Sequence, residues 1–85
     1  MNRSERIHVT LTKVFAPSAL DVIDDSHKHA GHAGAQPEGE THYTVKIVST
    51  AFEGLSRVAV QRAVMDALKE EFDSGLHALS IKARS

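Results

Sequence analysis

The chain has 85 residues, enough for one domain and little more; at that size a deep, enclosed active site is not expected, and a surface shared with a partner is. Its 10 Lys+Arg and 11 Asp+Glu leave a net charge of -1 with neutral histidines, a weak basis for nucleic-acid binding, which draws on phosphate neutralisation. With no cysteine there is no disulfide framework, no zinc ribbon and no thiol nucleophile.

The opening residues, Met1-Asn2-Arg3-Ser4-Glu5-Arg6, lack the apolar core of a secretory signal, and no apolar run approaches the ~20 residues of a membrane span. A cytoplasmic protein without membrane contact is expected. The first element is an amphipathic helix. Ile7, Leu11, Val14 and Phe15 fall on one stripe of a 3.6-residue period. Asn2 or Ser4 caps it, and Pro17 stops it near Phe15 or Ala16.

Residues 20–24 form a short strand, with Leu20 and Val22 on one face. Residues 26–39 come next as a long loop of His, Ala, Gly, Pro and Gln with little to bury. Residues 41–49 are the clearest strand, Tyr43, Val45 and Ile47 alternating with Thr44 and Lys46. The two strands predict an antiparallel hairpin with the loop at its tip. Residues 51–55 make a corner around Gly54, and Ser56 caps the helix beyond it.

That helix, the strongest, runs from Arg57 to about Phe72. Val60, Val64, Leu68 and Phe72 step by four, and Ser74-Gly75 ends it. Residues 76–84 close the chain as a strand with Leu79, Ile81 and Ala83 on one face. Every apolar stripe is accounted for by one α+β domain over residues 1–85, a three-stranded sheet with its helices on one face.

Six histidines are unusual in 85 residues. Three lie in Ser26-His27-Lys28-His29-Ala30-Gly31-His32. Imidazole is a common ligand of zinc, copper and iron, and short His-rich tracts are candidate metal sites. The same tract also suits a solvated polar spacer, and alone it cannot complete a four-ligand structural zinc site. His77 opens the last strand, either as a strand histidine bonded to backbone or as a ligand on a rigid element. His42 has the same options at a position where an outward strand residue is expected. His8 reads as a solvated helix residue.

The corner from Gly54 to Arg62 has the outline of a helix-turn-helix, with Arg57 and Arg62 early in the helix and Lys82 on the last strand as candidate phosphate contacts. The alternative is a helix that packs on the sheet and shows its polar face to water. Gly31-His32-Ala33-Gly34 matches the GxxG of KH domains by letter, but it falls between strands rather than between helices. No nucleophile, base and orienting group share a workable spacing, so no enzymatic site is expected.

Taken together, several segments resemble the BolA family. They are Asp24-Asp25-Ser26-His27-Lys28-His29-Ala30-Gly31-His32-Ala33-Gly34, Thr41-His42-Tyr43-Thr44-Val45-Lys46-Ile47-Val48-Ser49, Phe52-Glu53-Gly54-Leu55-Ser56-Arg57, and His77-Ala78-Leu79-Ser80-Ile81-Lys82-Ala83-Arg84. The resemblance implies an α-β-β-α-α-β order similar to type II KH domains. It also implies a non-enzymatic partner of a monothiol glutaredoxin with a shared [2Fe-2S] cluster, in cluster trafficking or iron and redox regulation. On that resemblance His77 is one cluster ligand and His29 best matches the second, with His27 and His32 as alternatives. The glutaredoxin cysteine and a glutathione thiol supply the rest. Some relatives are described as transcriptional regulators, so DNA is the alternative partner. The free protein is expected to be a monomer or weak homodimer.

Overall fold

A computed structural model describes residues 2–25 and 42–85. The element order is α1 (Arg3–Phe15), β1 (Ala19–Asp24), β2 (His42–Val48), a single 3-10 turn (Thr50–Phe52), α2 (Arg57–Ala67), α3 (Lys69–Asp73) and β3 (Ala78–Arg84). The expected 26–39 loop and its GxxG match lie outside the described residues.

Helix α1 begins where Asn2 accepts the Glu5 N–H in its side chain, satisfying one orphan donor of the first turn. It ends at Ala16, which turns left-handed (φ 45) just before Pro17. Its buried stripe is Arg3, Ile7 and Leu11, a strict step of four, continued by the partly buried Phe15. Val14 does not join it and is 55% exposed. The i+7 position flanks the stripe, and Phe15 at i+8 takes the inward place against Phe52, their ring centroids 5.0 Å apart.

The sheet order is β1-β2-β3. β1 pairs antiparallel with β2, as the hairpin pattern predicts, with Leu20 opposite Ile47 and Val22 opposite Val45. β3 pairs parallel with β2, with Tyr43 opposite Leu79 and Val45 opposite Ile81. Alternation then sorts the two faces. Tyr43, Val45 and Ile47 are buried under the helices, while Lys46, Ser80, Lys82 and Arg84 are exposed. Helices lie on one face, and among the described residues nothing covers the other.

Ser49 joins α1 to the end of the sheet. Its buried hydroxyl donates to the Phe15 carbonyl (2.7 Å) and accepts from the Ala51 N–H (3.1 Å). Ser56 caps α2 by accepting from Ala59 N–H at 3.1 Å. Val60, Val64 and Leu68 reach the core, and Phe72 packs against it. The sequence predicts one helix to Phe72, but the chain breaks at Leu68 (φ -103, ψ 17) and resumes as α3. The break lies three residues before a distant contact. Buried Glu71 meets Arg3 at 2.8 Å and Arg6 at 3.1 Å, from the first turns of α1. Among the described residues, no helix is long and apolar enough to cross a membrane.

Candidate metal centre

His77 does not open β3; it stands just before it, exposed, on a short connection after α3. That connection is firmly held. Leu76 is buried (3% exposed) and its N–H bonds the Glu71 carbonyl at 2.9 Å. Gly75 has φ +131, which L side chains rarely adopt. The Arg3 guanidinium donates to the Glu71 carbonyl, the Ser74 hydroxyl (2.9 Å) and the Ser74 carbonyl. The backbone under His77 is therefore fixed by α1, while the imidazole faces solvent.

His42 is the first residue of β2, half-buried, with Ala78 as its cross-strand partner. Its carbonyl accepts the Asp25 N–H at 2.8 Å. The parallel register brings it beside His77, with ring centroids 6.3 Å apart and planes at 72°. Two imidazoles sharing one tetrahedral ion hold their centroids roughly 5 Å apart, given metal–nitrogen bonds of ~2.0–2.1 Å.

Two imidazoles make half of a donor set. Among the described residues no group of three or more His, Cys, Asp or Glu side chains is placed to hold a metal ion, and the chain has no cysteine. The described residues alone therefore do not close a four-ligand structural site. Of the sequence-predicted ligands, His77 is described; His29, His27 and His32 lie outside the described residues.

A BolA-like protein family model matches residues 11–85. The chain belongs to the BolA family. It is similar to an uncharacterised Sinorhizobium protein encoded in the cobS 5' region, 49% identical over 96% of this chain and 89% of that protein. It is also 46% identical to the chloroplastic protein BOLA1 of Arabidopsis thaliana, over 99% of this chain but only 54% of that relative. Among solved structures, Arabidopsis BolA1 superposes with a TM-score of 0.88 at 46% identity, over 99% of this chain and 92% of that one. The BolA domain of Arabidopsis SufE1 gives 0.87 at 46%, over the same shares. The α-β-β-α-α-β order implied by the resemblance is the order observed.

In this BolA-like chain two of the three cationic residues singled out from the sequence line one hollow. Arg57, at the start of α2, and Lys82, on the sheet face away from the helices, line it; Arg62 is exposed on α2 and does not. The helix-turn-helix outline at the corner is in fact strand, 3-10 turn and helix, because only three residues (Thr50–Phe52) are helical before the turn. Sequence pattern gave no reason to join His42 to His77: the parallel pairing that does so links residues far apart in the chain.

Proposed function

We propose that this BolA-like chain is a non-enzymatic adaptor that pairs with a monothiol glutaredoxin and contributes histidine ligands to a shared [2Fe-2S] cluster. The observation that carries the reading is the juxtaposition of His77 and His42 at one end of the sheet, with the His77 ring exposed. The chain leaves the sheet at Asp25 and re-enters it at His42, neighbours through the Asp25 N–H bond.

The donor chemistry supports a shared site. A [2Fe-2S] cluster takes four ligands, and imidazoles on one iron raise its reduction potential relative to all-thiolate ligation. A cysteine-free chain supplies the imidazoles; the partner cysteine and glutathione supply the thiolates. His77 is the ligand on a fixed backbone, and the second comes from His29 or His42, with His27 and His32 as further candidates. A DNA-binding role draws less support, because the net charge is -1.

The test is reconstitution with a monothiol glutaredoxin, iron, sulfide and glutathione, then size-exclusion chromatography and visible circular dichroism. A heterodimer carrying a visible-absorbing cluster is expected. His77→Ala changes the spectrum and shortens the cluster lifetime, and comparison of His29→Ala with His42→Ala identifies the second ligand. An unaltered spectrum and lifetime in His77→Ala refutes the assignment.

A further inference from the structure

The end of the sheet away from the histidines has its own character. Because β2 and β3 run parallel, both carry their first residues, His42 and Ala78, at the histidine end and their last, Val48 and Arg84, at the other. Seven residues of strand separate those ends, roughly 20 Å at ~3.3 Å per residue. At the far end lies a hollow formed by the start of α2, the sheet and the outer edge of β3.

Its cations are Lys46, Arg57, Lys82 and Arg84, all exposed, against Asp21 as the acidic side chain in the lining. Lys46 is the cross-strand partner of Asp21 on one side and of Lys82 on the other, so Asp21 stands beside Lys46, and Lys82 faces a like charge across the ladder. In a chain with a net charge of -1, this is a local concentration of positive charge. The hollow is also apolar. Leu55 lines it and is 46% exposed.

Among the described residues, no strand pairs with the outer edge of β3 beside the hollow. Arg84 turns its carbonyl toward β2, where it accepts the Ser49 N–H at 3.0 Å. By alternation in a parallel ladder, the peptide groups of Leu79, Ile81 and Ala83 point outward. The Ile81 carbonyl does so, and Gln61 Nε2 of α2 donates to it at 3.3 Å. Gln61 stands where the N–H of a neighbouring strand would stand.

We infer that this hollow receives an extended peptide segment of a partner protein, one that alternates acidic and apolar side chains and adds to the outer edge of β3. Acidic side chains meet Lys46, Lys82, Arg84 and Arg57, apolar ones cover Leu55, and main-chain bonds form along β3. Displacing Gln61 exchanges one neutral hydrogen bond for another. A nucleic-acid strand fits less well. Single-stranded binding relies on exposed aromatic platforms, and the aromatic residue in this lining, Phe52, is 4% exposed.

The test measures fluorescence anisotropy of the full chain with a labelled short peptide alternating Val and Glu, with its Lys-for-Glu counterpart, and with charge-matched single-stranded and duplex DNA. The acidic peptide binds, its affinity falls with salt, and the basic peptide does not bind. Lys82→Glu/Arg84→Glu weakens it by about tenfold, from two lost attractions and two new repulsions at exposed sites. Arg57→Glu weakens it less, and far-ultraviolet circular dichroism confirms that these surface variants are folded. His77→Ala leaves peptide binding unchanged, which separates this hollow from the histidine end. Amide shifts on titration concentrate at 79–84. The inference is overturned if the acidic peptide fails to bind, if the charge reversals leave its affinity unchanged, if shifts fall elsewhere, or if either DNA binds more tightly than the peptide.

Discussion

Replacing Glu71 with alanine tests how α1 is joined to the α3–β3 connection. The Arg3 and Glu71 side chains are 9% and 11% exposed and meet at 2.8 Å. Arg3 also donates to three neutral acceptors, the Glu71 carbonyl, the Ser74 hydroxyl and the Ser74 carbonyl. Removing the carboxylate leaves a buried guanidinium without its counter-charge, a change that costs about 3–5 kcal/mol. The neutral acceptors remain, which places Glu71→Ala at the low end, about 3 kcal/mol. Arg6 adds little, because its side chain is 39% exposed and exposed pairs contribute ~0.2–1 kcal/mol.

For a domain of this size, a loss of about 3 kcal/mol lowers the melting temperature by roughly 12–24 °C. Urea unfolding monitored by circular dichroism measures it, with an unchanged m-value showing that the denatured state is unaltered. Glu71→Gln keeps an acceptor oxygen and costs less than Glu71→Ala. Arg3→Met/Glu71→Met, which removes both charges, is more stable than Glu71→Ala alone. A loss below about 1 kcal/mol for Glu71→Ala, or strict additivity of the two methionine substitutions, refutes this account of the pair.

Leu11→Ala empties a position that is 0% exposed at the centre of the core and costs about 2–5 kcal/mol in the same urea assay. Ser56→Ala removes the acceptor for the Ala59 N–H and lowers stability by ~1 kcal/mol, measured likewise. The glycines separate backbone strain from crowding. At Gly54 (φ +78) an added Cβ meets nothing within 4 Å, so Gly54→Ala costs only the left-handed conformation, roughly 1–2 kcal/mol. At Gly75 (φ +131) the Cβ lies 3.2 Å from Arg3 Nη2, so Gly75→Ala costs more, and equal melting temperatures for the two variants contradict that ordering.

Much of the fold is legible in local pattern. The step of four in Val60, Val64 and Leu68 and the alternation of Tyr43, Val45 and Ile47 identify their elements and inward faces, because each period is fixed by backbone geometry over neighbouring residues. The stops are equally local: Pro17 beyond α1, Ser56 before α2, Gly75 after α3. Tertiary structure decided what local pattern leaves open. Val14 and Phe15 are both apolar, and only the position of Phe52 selects Phe15 as the inward residue. Nothing in residues 66–70 marks the break at Leu68, which lies three residues before Glu71 meets Arg3 from the opposite end of the chain. His77 was visible as a candidate from its type and position. Its neighbour was not, because the pairing of His42 with Ala78 is a matter of strand register. The same register gathers Lys46, Lys82 and Arg84 at the far end. Sequence periodicity determines which face a side chain takes on its own strand; only the pairing of distant strands determines which side chains share that face.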